Sequence, residues 1–533
     1  MIINMTSRTD LSHKKLIEKL IDKKGRRKYF RELNPTLLDT PFEINTRLLK
    51  KKCKVLFIMP NFNWIDEDVN ALWDLLPWNL CVLASMIEDI VSEVKIIDAY
   101  KDNLSKEELT KKIIKYKPDI VGITVLMDQY SKVAPITAKI IKDISQKIIT
   151  VLGGVYATTN SKIAIKDKNL DYVVIGEGEF VFRQLVGFYS GACDLPDKGI
   201  CFKTKGNGKI DYRGHAPFIK NLDLLPKPAY HLIDFLGYAK RWGRKSIDRP
   251  AGYPYTRIVT SRGCPEKCSF CQVPAIQGSY FRARSPDHVC DEIEWLKKEY
   301  GIKSFIFDDD SFFTNTKRAK ALLSKIIERN LSMPWTALQA GVFRLDEEMI
   351  NLLVESGCNY MGTSIESGTE RITNDVILKP INFDHAKKMI AYAKKKGIFV
   401  SSNFIIGFPT ESWQEIRQTI AFAEDLNADY TRIHIAIPLQ HTEMFDLARE
   451  TGSLITTKKD FESKWTVGGV MKSDDWTADD LTILRAYEWD KINFTDPIKS
   501  KRIADRMGIS VDELHNDRKR TLDYAIKSIS ARH

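Results

Sequence analysis

The 533-residue sequence predicts an α/β protein with two parallel-sheet domains in succession and a helical C-terminal region. Between residues 54 and 190, five short apolar runs alternate with segments of helical period, which predicts a doubly wound, Rossmann-like sheet. From Arg257 onward six more runs are each followed by a helical segment, and six such units predict a partial (β/α)6 barrel of the TIM type. The predicted order is a basic helical extension, a Rossmann-like domain, a connector, a barrel and a helical region, over residues 1–53, 54–190, 191–250, 251–450 and 451–533.

The N-terminal extension carries most of the net charge of the chain, which is +11 in total. Residues 1–54 hold 15 Lys or Arg against 6 Asp or Glu, so the other 479 residues are close to neutral. A near-neutral body argues against a nucleic-acid-binding protein. The basic block at residues 23–28 fits a solvated helix, or a contact with an acidic partner or a membrane surface.

Two loops of the predicted Rossmann-like domain are rich in glycine, and each follows an apolar run. They are Gly153-Gly154-Val155-Tyr156-Ala157-Thr158 and Gly176-Glu177-Gly178-Glu179. Ligands of doubly wound sheets lie at the carboxyl ends of the strands, and glycine there lets the backbone approach a ligand closely. On spacing alone these loops fit a nucleotide, a flavin or no ligand.

Three polar motifs follow predicted barrel strands. They are Asp308-Asp309-Asp310, Glu366-Ser367-Gly368 and Gly407-Phe408-Pro409. Active sites of such barrels lie at the carboxyl ends of the strands, so the three motifs are predicted to face one site. Any one of them alone fits a solvated turn better.

The strongest chemical signal is the spacing Cys-x3-Cys-x2-Cys at Cys264, Cys268 and Cys271. Structural zinc normally takes four protein ligands, and the nearest further candidates, His288 and Cys290, lie on a predicted helix. A 4Fe-4S cluster held by three thiolates fits the spacing better and leaves one iron open to a ligand. The other six cysteines are scattered singly, which argues against a disulfide framework.

This cysteine motif, with Phe270 as the aromatic residue before the third cysteine, resembles that of the radical S-adenosylmethionine (SAM) superfamily. The resemblance implies a 4Fe-4S cluster whose open iron chelates the amino and carboxylate groups of SAM, and cleavage of SAM to a 5′-deoxyadenosyl radical. It also implies that the polar motifs at the strand ends bind SAM. The residues nominated on this ground are Phe270, Asp308 or Asp309, Glu366, Ser367 and Ile406.

The segments Pro118–Thr124, Leu152–Thr158 and Asp171–Glu179 resemble the cobalamin-binding domain that precedes many radical SAM barrels. No histidine lies between residues 54 and 190, so the Asp-x-His-x-x-Gly motif of the cobalamin mutases is absent. We therefore expect cobalamin without a histidine of this domain as lower ligand. The residues that the resemblance assigns to cobalamin are Thr124, Gly153, Gly154, Gly176, Glu177 and Gly178.

Together these resemblances favour a cobalamin-dependent radical SAM methyltransferase that acts on an unactivated carbon. Two alternatives stay open at this point. One is a radical SAM cyclase or oxidoreductase without methyl transfer, similar to the anaerobic magnesium-protoporphyrin cyclase or to ring-forming and coupling enzymes. The other is a redox or corrinoid sensor in which the basic extension docks a partner.

The expected partners are a small-molecule or biosynthetic-intermediate substrate and a low-potential electron donor such as flavodoxin or ferredoxin. We expect no nucleic-acid partner, because the body of the chain is close to neutral. We also expect no transmembrane segment and a cytoplasmic location, because no apolar run is long enough to span a bilayer and the start lacks a secretory signal. His441, in the loop after the sixth barrel strand, fits a solvent-facing loop better than a substrate contact. The aromatic segment Tyr487–Phe494 fits core packing better than closure of the substrate cavity.

Overall fold

The computed structural model describes residues 36–38, 43–65, 76–204, 208–241, 246–250, 252–455 and 469–530. The basic block at residues 23–28 and the rest of the predicted extension up to residue 35 lie outside the described residues. The described chain begins with a two-residue strand, β1 (Leu37–Leu38), which pairs in parallel with β9 (Phe218–Ile219).

The first domain is a seven-stranded sheet with the order β3-β2-β4-β5-β6-β7-β8. Strands β2 to β6 are parallel and confirm the predicted doubly wound sheet, because the strand order reverses between β2 and β4. Strands β7 and β8 pair antiparallel and extend the sheet into the predicted connector, where short runs gave no clear periodicity. The strands are β2 (Lys54–Met59), β3 (Glu93–Asp98), β4 (Ile120–Thr124), β5 (Ile149–Gly153), β6 (Tyr172–Val174), β7 (Ile200–Lys203) and β8 (Ile210–Tyr212).

Helices cover both faces of this sheet, and their starts follow local capping rules. The second helix begins at a capping box, in which Ser105 accepts from the amide of Glu108 and the Glu108 carboxylate accepts from the amide of Ser105. Gly122 in β4 lets Phe57 and Phe182 pack across the sheet, because a Cβ there would lie 2.7 Å from the Phe57 ring. The helices are α1 (Trp78–Ser85), α2 (Lys106–Tyr116), α3 (Val133–Ile144), α4 (Val155–Ala164) and α5 (Glu179–Tyr189).

The second domain is an open barrel of six parallel strands in the order β10-β13-β14-β15-β16-β17, as predicted. A two-stranded antiparallel ribbon, β11 (Ser261–Arg262) with β12 (Arg282–Ala283), flanks the cysteine loop. The barrel strands are β10 (Tyr255–Ile258), β13 (Ser304–Phe307), β14 (Trp335–Ala340), β15 (Cys358–Glu366), β16 (Phe399–Ile406) and β17 (Tyr430–Ile435). The helices of the connector and barrel are α6 (Phe235–Arg241), α7 (Val273–Gln277), α8 (Pro286–Glu299), α9 (Thr316–Glu328), α10 (Glu347–Glu355), α11 (Phe383–Lys395), α12 (Trp413–Asp425) and α13 (Glu443–Glu450).

The C-terminal helices close the open edge of the barrel at β17. Asn493 donates to the carbonyl of Thr431 and accepts from its amide, at 2.8 and 2.7 Å, so the unpaired edge of β17 is satisfied by a side chain. Trp489 and Phe494 pack edge to face at 5.1 Å, whereas Tyr487 is 64% exposed. The helices are α14 (Ala478–Phe494), α15 (Pro497–Met507) and α16 (Val511–Ser530).

None of the helices in the described part of the chain is long and apolar enough to cross a membrane.

Candidate functional site

A cavity of about 540 Å³ lies between the two domains, at the carboxyl ends of both parallel sheets. Its volume is within the usual range for a ligand site, roughly 300–1,000 Å³. The first domain contributes the ends of β4 and β5, the loop after β6 and the start of α1, next to the point where the strand order reverses. The barrel contributes Val259, Ser261, Arg262, Ile276, Gln277, Asp308 and Asp310.

The six residues predicted for the cobalamin side all line this cavity: Thr124, Gly153, Gly154, Gly176, Glu177 and Gly178. Two of the glycines are required by the backbone itself. Gly154 has φ +95°, and a Cβ there would lie 2.6 Å from the carbonyl oxygen of Val125. Gly176 has φ +91°, and its Cβ would lie 2.1 Å from the ring of His215. Glycine at these two positions therefore lets each loop pack closely against the protein behind the cavity wall.

Thr158, which the sequence did not single out, connects the two glycine loops. Its hydroxyl donates to the carbonyl of Gly154 and accepts from the amide of Gly176, both at 3.0 Å. The loops are 22 residues apart in the sequence, so a single hydroxyl fixes their separation at the cavity wall.

Glu177 lines the cavity, but its carboxylate is committed to the barrel. It pairs with Arg282 at 2.8 Å and with Arg262 at 3.2 Å, and it accepts from the amide of Ile219 at 2.7 Å. Glu179 pairs with Arg262 as well. We call Glu177, Glu179, Arg262 and Arg282 the interdomain ion cluster; its four side chains are between 4% and 9% exposed.

The charges in the interdomain ion cluster compensate one another. Burial by itself would raise the pKa of Glu179, but the adjacent Arg262 guanidinium outweighs it and the pKa is lowered. Since Arg262 stands two residues before Cys264, the cluster ties the cobalamin-side loop directly to the start of the cysteine loop.

The cysteine loop runs from Gly263 to Cys271, between β11 and α7. Gly263 has φ +79°, and a Cβ there would lie 2.2 Å from the carbonyl of Tyr280. Ser269 anchors the middle of the loop, because its amide and hydroxyl donate to the carbonyls of Ile377 and Val376. Its own carbonyl accepts from the amide of Met444. The loop is thus held by the barrel on both sides.

The three cysteines of the loop are free and partly buried. Burial raises the pKa of Cys268 and of Cys271 to about 12, and it raises the pKa of Cys264 as well. A positively charged iron centre supplies the charge that lets such thiols ionise. Within the described ranges, no three His, Cys, Asp or Glu side chains converge on a single metal ion. Three thiolates of a cubane bind three different irons, so the donor set fits a cluster better than one zinc ion.

The three aspartates after β13 point in different directions. Asp309, which the sequence nominated for SAM, is 4% exposed and accepts from the amide of Thr260 at 2.6 Å and from the hydroxyl of Ser261 at 2.8 Å. It fastens the strand end and does not line the cavity. Asp308 does line it, paired with Arg257 at 2.9 Å.

Asp310 is the acid that sequence reasoning missed. It lines the cavity, and burial together with the charges of Asp309 and Asp308 raises its pKa to about 7. The signal that could have found it is alternation, because neighbouring residues of an extended strand end face opposite sides.

The other residues nominated for SAM fall into two groups. Glu366 has φ +70° and pairs with Lys379 at 2.8 Å. Burial raises the pKa of Cys268, and the nearby charge of Lys379 partly offsets this rise. This places Glu366 close to the cysteine loop. Ser367 and Ile406 are fully buried in the barrel wall. Phe270 is half-buried and packs on Phe408, with ring centroids 6.1 Å apart.

Two histidines lie near the cavity, and one of them connects the two domains. His441 has φ +63°, and its Nε2 lies 2.6 Å from the carbonyl oxygen of Thr159 in α4. His215 packs under Gly176 with Nδ1 2.7 Å from the carbonyl of Ala216, and burial lowers its pKa. The search of the sequence for a histidine near cobalamin covered only residues 54–190, and it therefore missed His215.

Two sequence profiles match the chain: the radical SAM superfamily over residues 258–423 and the B12 binding domain over residues 69–186. An uncharacterized methyltransferase of Pyrococcus horikoshii is 34% identical over 414 residues, which cover 76% of this chain and 85% of that protein. Cytidylyl-2-hydroxyethylphosphonate methyltransferase of Streptomyces wedmorensis is 27% identical over 76% of this chain and 83% of its own length. Anaerobic magnesium-protoporphyrin IX monomethyl ester cyclase of Rubrivivax gelatinosus is 28% identical over 79% and 74%.

The fold has a solved counterpart in the radical SAM methyltransferase TsrM of Kitasatospora setae, whose structure holds cobalamin and a [4Fe-4S] cluster. The TM-score is 0.62 at 20% identity, over 76% of each chain. A likeness at this level of identity shows a shared fold.

Proposed function

Since the chain belongs to the radical SAM superfamily, in the group whose barrel follows a B12 binding domain, we propose that it is a cobalamin-dependent methyltransferase that acts on an unactivated carbon. The observation that carries the proposal is the single cavity shared by the two glycine loops and the barrel mouth. In such a cavity, cobalamin on one wall and SAM on the other both reach one substrate. The methyltransferases among the relatives support this reading.

The residues present fit these groups. Cys264, Cys268 and Cys271 would hold the 4Fe-4S cluster, and the loops of Gly154 and Gly176 line the cavity in which the corrin ring would lie. The chemistry that these groups supply when bound is abstraction of a hydrogen atom from the substrate by the 5′-deoxyadenosyl radical, and delivery of a methyl group from cobalt.

The chain's own side chains position and protect the reactants. Asp310 and Glu366 would bind SAM, since a carboxyl group beside an ammonium or a ribose hydroxyl forms a charge-assisted hydrogen bond. The interdomain ion cluster holds the cobalamin-side loop against the cysteine loop. Trp78 and Phe57 line the cavity with apolar surface that excludes water.

The enzyme needs one low-potential electron donor, such as flavodoxin or ferredoxin. The proposal places it in the cytoplasm, where thiols stay reduced, since all nine cysteines are free.

The test uses protein loaded anaerobically with iron, sulfide and hydroxocobalamin, and SAM with a labelled methyl group. Without substrate, reduced cobalamin should take the methyl group, which the optical spectrum reports as methylcobalamin and mass spectrometry reports as label. With a fractionated small-molecule extract of the source organism, label should appear in a product heavier by one CH2 unit, together with 5′-deoxyadenosine. Deoxyadenosine without any labelled product would contradict methyl transfer and favour the cyclase alternative.

The matched control compares two cysteines of the same chain. Cys268→Ala should abolish both the cluster absorbance and deoxyadenosine formation. Cys290→Ala, at a buried thiol on α8 outside the loop, should leave both in place.

A further inference from the structure

The inner face of the last two barrel strands carries polar groups that the proposed chemistry does not use. Phe404 of β16 packs outward on Phe422 of α12, and Ile433 of β17 is buried in the same helical layer. Side chains alternate along a strand, so Asn403 points to the barrel interior. Arg432 and His434 of β17 share this orientation, since β17 pairs with β16 in register.

The charge of Arg432 is compensated. Its guanidinium donates to the carboxylate of Asp248, and Nη1 donates to the hydroxyl of Tyr360 at 3.1 Å. The carboxylate thus supplies the counter-charge of Arg432, and the hydroxyl accepts a further hydrogen bond from it.

Arg485 of α14 differs from Arg432. Its Nε donates to the carbonyl of Ile433 at 3.0 Å, and among the described residues no carboxylate forms an ion pair with it. Burial lowers the pKa of this guanidinium, and the side chain remains half-buried. A cation removed from water without a counter-charge is unfavourable, which is the condition in which an anionic ligand is most strongly bound.

His434 follows Ile433, whose carbonyl accepts from Arg485, so its ring lies near that guanidinium. Burial by neighbouring groups and the charges of Arg432 and Arg485 lower the pKa of the imidazole to about 4. At neutral pH its ring is uncharged and carries one N–H donor.

Asn403 supplies a second unused polar group on the same face. Its Oδ1 is buried and has no hydrogen-bond partner in the described part of the chain. Buried polar atoms are almost always satisfied in folded proteins, so an orphan here indicates a missing ligand or water. Asn403 stands opposite Arg432 in the β16–β17 register, next to the Ile405–His434 pair.

We propose that Arg485, His434 and Asn403 form a subsite for an anionic group of the substrate, either a carboxylate or a phosphate-type group. The guanidinium fork matches two anionic oxygens, and the imidazole N–H matches a third. The amide of Asn403 binds a neighbouring hydroxyl or amino group of the same molecule. The inference rests on the proposed function in one respect, which is that the barrel interior holds the substrate.

A second source of the same chemistry is the carboxylate of SAM. In the radical SAM superfamily that carboxylate chelates the open iron, at the cysteine loop beside β10 and β13. The subsite lies on β16, β17 and α14, at the other edge of the open barrel. This separation favours an anionic group of the substrate over the SAM carboxylate as the occupant of the subsite.

The test measures how fast diethyl pyrocarbonate modifies His434 in anaerobic protein loaded with cluster and cobalamin, read by peptide mass spectrometry. The probes are inorganic phosphate and acetate, each with SAM present. At four times its dissociation constant, a probe that covers the ring should slow modification about fivefold, because the free fraction falls as 1/(1 + [L]/Kd). The surface imidazole of His231 should be modified at an unchanged rate.

Arg485→Gln should abolish protection of His434, whereas Arg485→Lys should retain part of it. Lys491→Gln removes a cation of the same helix that pairs with Glu424 on the outside, and it should leave protection intact. Circular dichroism and cluster absorbance establish that each variant is folded.

Two outcomes would overturn the subsite. One is equal modification of His434 with and without either probe. The other is protection of His434 by SAM without any probe, combined with no protection by decarboxylated SAM. That result would assign the subsite to the SAM carboxylate. No turnover enters the assay. Failure of the labelling test would therefore refute the proposed function without removing the protection that supports the subsite.

Discussion

Arginine is used in opposite ways at the two walls of this molecule. Arg262 and Arg282, at the contact between the domains, are 7% and 5% exposed, and each pairs with glutamate from the first domain. Arg485, at the barrel edge, is also desolvated, but the described residues provide it with a backbone carbonyl and no carboxylate. Compensated cations hold structure together, whereas an uncompensated cation remains available to a ligand.

The strongest way to break this comparison is Glu179→Gln, which removes one counter-charge of the interdomain ion cluster. Arg262 would keep only the longer contact to Glu177, so stability should fall by about 3–5 kcal/mol, the usual result of removing one partner from a buried pair. Chemical unfolding of the loaded protein measures the loss. A loss below about 1 kcal/mol, the value for a surface pair, would show that the cluster is not a structural device.

Gly176→Ala tests the loop that carries Glu177 to the barrel. The new Cβ would meet the His215 ring, and the backbone φ of +91° disfavours any side chain, so we expect a loss of about 1–3 kcal/mol and weaker cobalamin binding. Optical titration with hydroxocobalamin measures the affinity. Gly214→Ala is the matched control, since it has φ +70° but nothing within 4 Å. Equal losses of stability and cobalamin affinity in the two variants would show that the contact with the His215 ring is not the cause.

Arg485→Gln should cost far less than Glu179→Gln. It removes one hydrogen bond to the Ile433 carbonyl, worth about 1 kcal/mol, and it also removes the penalty of a desolvated charge. The same unfolding measurement applies. Destabilisation as large as that of Glu179→Gln would mean that Arg485 has a structural role like that of Arg262.

The smallest expected effect is a pH dependence from His434. Its folded pKa of about 4 lies below the ordinary value of 6.5, so between these values the unfolded chain binds a proton that the folded chain excludes. Stability from this group is therefore complete above about pH 6.5 and is lost as the pH falls towards 4. Unfolding of His434→Gln followed across this interval should show a flatter profile than the parent. Phosphate bound at the proposed subsite should flatten the parent profile as well, because an anion favours the protonated ring.

Much of the candidate site follows from local sequence signals. The cysteine spacing, the glycine loops and the strand periods each depend on residues close together in the chain, and the six cobalamin-side residues do line one cavity. Asp309 shows where local reasoning fails. Alternation separates Asp309 from Asp308 and Asp310, but only the packing of Thr260 and Ser261 shows that Asp309 is the one turned into the wall.

By itself, the sequence determined the two parallel sheets and the grouping of three cysteines in one loop, because periodicity and spacing are properties of neighbouring residues. The tertiary structure alone decided which charges are compensated. Arg262 meets Glu179 across 83 residues, and Arg485 reaches the strand of His434 across 52. Electrostatic energy depends on distance and burial in the folded chain, and neither quantity can be read from the order of the residues.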